Sequence, residues 1–270
     1  MSCRTFEEVV REHPCYSRAA ARRFGRIHLP VAPDCNLKCR YCSRRYDCLH
    51  ENRPGVTRRL MEPEEALAHV ERLVRADPRL RVVGIAGPGE PLANPATLRT
   101  LELVRQRFPG LIKCVSTNGL LLEESLPRLR ECGVKAVTVT VNAVSPSVGS
   151  LVYEYVRFRG RLYTGIHGAQ RLWEAQQAGI RLASRMGMVV KVNSVLIPGI
   201  NEEHLAEVAR AVKQAGAHLM NVLPLIPQGG FRHLPPPSPE RVRRVREALS
   251  ATIAQVGHCR LCRADAAGML

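Results

Sequence analysis

The chain has 270 residues, 45% of them hydrophobic and 4% aromatic, and its 40 basic against 24 acidic side chains give a formal charge of +16. That length supports one sizeable core or one large α/β domain, and no apolar run approaches the roughly 20 residues that span a bilayer. The charge does not by itself make a nucleic-acid surface: arginine outnumbers lysine 35 to 5, the mark of codon bias, and few aromatics are present to stack on bases.

The N-terminus, Met1-Ser2-Cys3-Arg4-Thr5-Phe6, has no apolar core of a leader peptide. A cytoplasmic protein is expected, in which ten cysteines serve as metal ligands or catalytic groups rather than as disulfides. A first strand is predicted over residues 26–31. It is followed by a loop bearing Cys35, Cys39 and Cys42. Pro63 opens a helix with Ala66, Leu67, Val70 and Leu73 at helical spacing. Residues 81–86 read as a strand ending in Gly87-Pro88-Gly89-Glu90, and Asn94-Pro95 caps a helix carrying Leu98, Leu101, Val104 and Phe108. Strands over 111–117, 134–141, 188–195 and 219–223 alternate with helices over 123–131, 168–178 and 202–215.

Two segments break the alternation. Residues 145–163 are too long for a simple connection and read as a functional insertion. Its basic-aromatic run from Tyr155 to Tyr163 suits a solvated loop or a lid better than an RNA surface. Pro235-Pro236-Pro237-Ser238-Pro239 is a stiff linker into a final amphipathic helix with Val242, Val245, Leu249, Ile253 and Val256. Six β-then-α units predict an α/β fold, an open, partial (β/α)6 barrel of parallel strands with helices outside; eight would close it. The expected organisation is an N-terminal extension over 1–25, the barrel over 26–225, and a linker, helix and cysteine tail over 226–270.

The C-x3-C-x2-C triplet carries the chemistry. On one loop it can hold three irons of a four-iron cluster and leave the fourth open to bind a substrate and pass it an electron. A zinc site more typically shows two paired motifs and closes all four positions, so the spacing favours a cluster over zinc.

The triplet, the Gly87-Pro88-Gly89-Glu90 strand end and the six units together resemble the radical S-adenosylmethionine (SAM) superfamily. The resemblance implies a [4Fe-4S] cluster on Cys35, Cys39 and Cys42 whose open iron chelates the amino and carboxylate groups of SAM. Reduction then cleaves the C–S bond to a 5′-deoxyadenosyl radical. It further implies that Tyr41 packs near the adenine, that Gly87, Gly89 and Glu90 receive the methionine amino group, and that Ser116, Asn118, Asn142 and Asn193 line the SAM pocket. Strand ends are also where barrel enzymes place chemistry. Taken singly, each polar residue there is as readily a turn former.

His13-Pro14-Cys15, the extension of the triplet to Cys48, the motif Glu51-Asn52-Arg53-Pro54-Gly55, the stretch 86–91 and the tail Cys259-Arg260-Leu261-Cys262 resemble, more narrowly, the NifB family of nitrogenase cofactor biosynthesis proteins. The match runs from about residue 13 to 270, without the second domain fused to many members, and implies a stand-alone core form. In that family two [4Fe-4S] clusters are joined around a carbon taken from SAM. One SAM donates a methyl group to a cluster sulfide, a second supplies the radical that removes hydrogen from it, and an added sulfur completes an eight-iron, nine-sulfur, one-carbon precursor. The implied partners are iron–sulfur cluster donors, an acceptor scaffold and an electron donor, with no nucleic acid or membrane.

Six ligands are assigned outside the triplet. Cys114 shares a strand face with Ser116; with Ser116 facing SAM, as the resemblance implies, Cys114 also points inside the barrel, and by the same logic His28 on the first strand can point inward. A lone strand histidine is normally a satisfied core residue, but an interior cysteine across the barrel favours ligation. Cys259-x2-Cys262 alone is half a zinc site; with Cys48 it can hold a further cluster over the barrel mouth. The expected sets are Cys15, His28 and Cys114 for one cluster, and Cys48, Cys259 and Cys262 for the other. Three ligands each, where a settled cluster has four, suit substrates to be fused and released. Cys132 reads as a small buried hydrophobe and Cys3 as part of a frayed terminus. Arg53 is a candidate to orient an anionic cluster, and Glu154 lies on a loop placed to close over the site.

Three other functions compete: a radical SAM enzyme that keeps its auxiliary clusters and modifies a peptide or small molecule, an electron-transfer or cluster-carrier protein, and a tRNA-modifying enzyme with salt-sensitive RNA binding.

Overall fold

β-branched runs alternating with amphipathic stretches fold, in the computed structural model, as one eight-stranded sheet flanked by helices. The structure describes residues 6–43, 57, 59–260 and 262–270. Cys3, Cys48, Arg53 and the motif at 51–55 lie outside the described residues. In chain order, α1 (Phe6–Glu12) and α2 (Arg18–Ala21) precede β1 (Gly25–His28), and β2 (Leu37–Cys39) lies within the cysteine loop. Then come α3 (Pro63–Ala76), β3 (Leu80–Ile85), α4 (Pro95–Arg107), β4 (Ile112–Thr117), α5 (Leu122–Glu131) and β5 (Val134–Thr140). The insertion forms α6 (Pro146–Val152), β6 (Tyr153–Phe158) and β7 (Arg161–Thr164). The chain continues through α7 (Gly165–Arg185), β8 (Val189–Leu196), α8 (Leu205–Ala215), β9 (Leu219–Pro224), α9 (Pro239–Ser250), β10 (Ala254–Gln255) and β11 (Ala267–Gly268).

The sheet order is β10-β9-β8-β5-β4-β3-β1-β11. The six predicted strands β1, β3, β4, β5, β8 and β9 pair in parallel. β10 extends them in parallel beside β9, and β11 runs antiparallel beside β1. The outer strands β10 and β11 do not pair with each other, so the barrel stays open. Burial on both faces is why the strands read as near-continuous apolar runs; every residue of β8 is buried. On the outer face Leu101, Val104, Leu126, Ile180 and Val208 of the helices pack with Val83, Val137 and Val190 of the strands.

The inner face is layered. At its base Val82, Ile112, Ala136 and Val189 pack with Val9 of α1 and with Tyr16. The Tyr16 hydroxyl donates to the Val137 carbonyl at 3.1 Å. The segment before β1 therefore plugs the half-barrel from below. Above the plug, strand register lines up His28, Gly84 and Cys114, and, further along, Ser116, Thr138 and Lys191.

Two local predictions shift. The insertion closes on the cysteine loop: β6 pairs antiparallel with both β2 and β7, making a second, three-stranded sheet. The last helix ends at Ser250 rather than running through Ile253 and Val256. Both of these residues stay buried, but between them β10 pairs with Leu219 and Met220. The open edge of β9 offers backbone partners that another helical turn would leave unmade. Among the described residues no helix is long and apolar enough to cross a membrane.

Candidate functional site

The cysteine loop is held from four sides. β2 hydrogen-bonds to the insertion, with Cys39 opposite Tyr153, and the Arg40 amide donates to the Val152 carbonyl at 2.8 Å. The Cys42 amide donates to the Cys39 carbonyl at 3.0 Å, and the Lys38 ammonium to the Cys42 carbonyl at 3.1 Å. From beyond β9, the Gly230 amide donates to the Arg40 carbonyl at 2.6 Å. Gly229 beside it has φ +53°, and a Cβ there would lie 2.7 Å from the carbonyl oxygens of both Arg40 and Cys42. Only glycine lets these two loops touch.

The Gly87-Pro88-Gly89-Glu90 turn braces the loop's entry. The Gly89 amide donates to the Ala32 carbonyl at 2.6 Å, the Ala32 amide to the Gly87 carbonyl at 3.3 Å, and the Glu90 amide to the Asp34 carbonyl at 2.7 Å. A Cβ on Gly89 would lie 2.6 Å from the Pro33 carbonyl oxygen. The Glu90 carboxylate is 2% exposed and accepts from the Thr117 hydroxyl at 2.5 Å, the Asn118 amide at 2.6 Å and the Leu92 amide at 3.0 Å. It ties the turn to the end of β4.

The asparagines predicted as pocket residues divide between frame and wall. Asn118 donates through Nδ2 to Asn36 Oδ1 at 2.7 Å, next to Cys35. Asn142 donates to the Tyr41 hydroxyl at 2.9 Å and accepts from the Val195 amide at 2.8 Å. Tyr41 itself is 1% exposed. Ser116 and Asn193, by contrast, line the interior cavity, where Asn193 Oδ1 accepts from Asn221 Nδ2 at 3.3 Å.

That cavity, partly open to solvent, brings together five of the six outlying candidate ligands: Cys15, His28, Cys114, Cys259 and Cys262. The sixth, Cys48, lies outside the described residues. Cys15 comes from the plug, His28 and Cys114 from β1 and β4, and the tail pair from beyond β10. The tail is fastened at several points. β11 pairs with Arg26 and Ile27, Arg26 donates to the Cys262 sulfur at 2.7 Å and to the Gly268 carbonyl at 2.6 Å, and His258 donates to the Pro14 carbonyl at 2.9 Å. Between His28 and Cys114 stands Gly84, where a Cβ would lie 3.0 Å from the Cys114 sulfur and 3.3 Å from the His28 ring. The missing side chain leaves the two donors facing one space. His28 Nδ1 donates to the Arg263 carbonyl at 3.0 Å, which leaves its Nε2 lone pair for a ligand.

Electrostatics favour neutral groups here. Burial, helped by Arg26, pushes the His28 pKa down to about 4. Burial raises the Cys15 thiol to about 11, and burial together with neighbouring Cys42 raises Cys39. None of the eight described cysteines is in a disulfide. Thiols raised in this way become thiolates when a metal core balances the charge. Among the described residues no three candidate side chains converge on a single ion. Cys15, His28, Cys114, Cys259 and Cys262 instead line one space, as a polynuclear group requires.

A half-barrel of six parallel strands with a C-x3-C-x2-C loop after the first defines a radical SAM protein, and the profile of the Radical SAM superfamily matches residues 29–212. "FeMo cofactor biosynthesis protein NifB" of Chlorobaculum tepidum is 42% identical over 264 residues, which is 97% of this chain and 62% of that protein. The protein so described in Methanocaldococcus infernus is 40% identical over 267 residues, 98% of this chain and 88% of its own length. The chain belongs to the NifB family. It spans 62% of the C. tepidum relative and 57% of one from Klebsiella pneumoniae. In fold it is similar to Streptococcus suis SuiB bound to S-adenosylmethionine, with TM-score 0.60 and 17% identity over 88% of this chain and 52% of that one.

The residues fit the groups the family implies. The triplet offers three soft thiols on a fixed loop, and beside it Asn36 Nδ2 is buried without a partner among the described residues. Gly84 clears the space between His28 and Cys114. Sequence reasoning missed the clamps Asn36, Gly229 and Gly230; Asn94 sits at the N-cap of α4 as expected, but the second task of its side chain was not foreseen. Its side chain makes no cap bond; its Nδ2 donates to the Asp34 carbonyl at 3.0 Å and the Glu90 carbonyl at 2.7 Å. Gly84 had a signal: a glycine inside a strand marks a close approach.

Proposed function

We propose that the chain is a radical SAM enzyme that joins two [4Fe-4S] clusters around a SAM-derived carbide, with one added sulfur, to make the [8Fe-9S-C] precursor of the nitrogenase cofactor. The observation that carries this reading is the meeting, inside one half-barrel, of a clamped cysteine triplet with a separate cavity that gathers five further ligand side chains. A carrier protein has no use for the strand-end wall of Ser116 and Asn193, and a protein working on one cluster has no use for the second ligand set.

In this reading a cluster held by Cys35, Cys39 and Cys42 supplies SAM binding and the electron that generates a 5′-deoxyadenosyl radical. Glu90, Asn94 and Asn118 fix the loop relative to the end of β4, so that Gly87, Gly89 and Glu90 stand where the methionine end is received. Tyr41 and Asn142 hold the adenine side, and Ser116 and Asn193 form the wall shared with the cavity. Cys15, His28 and Cys114 hold one substrate cluster; Cys259 and Cys262, with Cys48, hold the other. SAM held between these residues would supply a methyl group for a cluster sulfide and, from a second molecule, the radical that takes hydrogen from that methyl. The stretches 1–25, 26–225 and 226–270 then act as plug, barrel and tail. Cluster donors, an electron donor and an acceptor scaffold complete the cycle, in a cytoplasm that keeps thiols reduced.

Anaerobic reconstitution followed by SAM and a strong reductant tests this. About twelve irons per chain, from three four-iron clusters, and both S-adenosylhomocysteine and 5′-deoxyadenosine are expected. Deoxyadenosine without S-adenosylhomocysteine would reject methyl donation. Auxiliary iron that stays bound after turnover would favour an enzyme modifying a peptide or small molecule. His28→Ala should keep the triplet cluster and lose the large product; normal product from it would remove His28 from the ligands.

A further inference from the structure

The cavity holds a second histidine, and it is set up in the opposite way to His28. His13 is 1% exposed and lines the same space. Its Nδ1 accepts the Cys15 backbone N–H at 3.2 Å. A backbone N–H can only donate, so Nδ1 is unprotonated and the ring proton sits on Nε2. That nitrogen is buried with no partner among the described residues. Where His28 turns a lone pair to the cavity, His13 turns an N–H. A buried donor left unmade costs about 1–3 kcal/mol, so the site is built for an acceptor that arrives with the ligand.

Lys191 stands in the same cavity, in register with Thr138 on β5 and 6% exposed. Its ammonium lies 5.3 Å from the Tyr16 ring, and its charge reaches His13, Cys15 and His28. A cation beside cysteine and histidine ligands raises the cost of a second cation and lowers that of an anion. A thiolate-bound iron–sulfur cluster is such an anion, and its sulfides accept N–H hydrogen bonds.

We propose that His13 and Lys191 are a donor pair that holds the sulfide edge of the substrate cluster bound by Cys15, His28 and Cys114. They are positioning residues and not ligands. This rests on the cavity receiving an iron–sulfur cluster, as argued above. The pair stabilises the reduced cluster, as donors to cluster sulfur do, and fixes which edge faces Ser116 and Asn193.

The test uses the full chain, reconstituted without SAM, with His13→Phe, His13→Gln, Lys191→Met and Lys191→Arg. All four should bind as much iron as the unaltered protein, because every ligand remains. At one fixed potential the reduced fraction of the cavity cluster, read by electron paramagnetic resonance, should fall at least threefold in His13→Phe and Lys191→Met. It should recover to within twofold in His13→Gln and Lys191→Arg, with the triplet cluster's signal unmoved throughout. Unchanged reduction in both disruptive variants, or loss of four irons in His13→Phe alone, would overturn the proposal. A readout that survives a folding failure is electron–nuclear double resonance on the unaltered protein. One strongly coupled histidine nitrogen, from His28, supports the pair, and two would make His13 a ligand. Unaltered protein that takes up only the triplet's irons would overturn the cavity reading, and the donor pair with it.

Discussion

The cysteine loop and the interior cavity hold the same kind of side chain and are built by opposite means. The loop's three cysteines lie within eight residues of sequence and are fixed by hydrogen bonds from β4, the insertion and the segment after β9. The cavity's five candidate ligands come from the plug, two strands and the tail, and strand register with a missing side chain brings them together. The difference suits the two tasks of the proposed function. A cofactor that must stay benefits from a short rigid loop clamped on all sides, whereas ligands carried on separate elements can part to load and release a cargo.

Substitutions can separate the two regions. Glu90→Gln should have the largest effect, because it removes the charge that three donors converge on and turns an amide N–H toward donors. The apoprotein should lose about 3 kcal/mol in urea unfolding, and the triplet iron should fall while cavity iron is retained. Gly229→Ala places a Cβ against two loop carbonyls at a φ that side chains resist, and should cost about 2 kcal/mol with the same selective loss of triplet iron. Cys132 belongs to the outer core with Leu126 and Leu129, so Cys132→Ala should cost about 1 kcal/mol and leave iron content unchanged by metal analysis. Gly84→Ala should move apoprotein stability least, by under about 1 kcal/mol, since a cysteine sulfur can yield a few tenths of an ångström. Its effect lies elsewhere: about four irons per chain should be lost from the cavity with the triplet spectrum intact. Loss of triplet iron in Gly84→Ala would mean that the two regions are one mechanical unit.

The six strands and the triplet were legible in the sequence because both are local: an apolar run of fixed length, and three cysteines at short spacing. The inward placement of His28 and Cys114 was legible through strand alternation once the family resemblance had set Ser116 on the inner face. What could not be read is what joins distant segments. Asn94 has the composition of a helix cap and stands before Pro95, yet its amide spans 60 residues back to Asp34. Gly229 and Gly230 look like turn glycines until the Arg40 carbonyl is seen beside them. His13 was noticed only as part of a motif with Cys15, because which ring nitrogen carries a proton depends on a hydrogen bond that spacing does not reveal. The final helix failed for a related reason: Ile253 and Val256 are buried as the helical pattern demands, but the edge of β9 recruits the backbone between them.

β11 seals the free edge of β1 with residues 267 and 268, and Arg26 reaches across 242 positions to bind there. One wall of the chamber is therefore finished by a stretch 242 positions away, so the Arg26 and β11 contacts draw two distant stretches of the chain together around Cys15, His28 and Cys114.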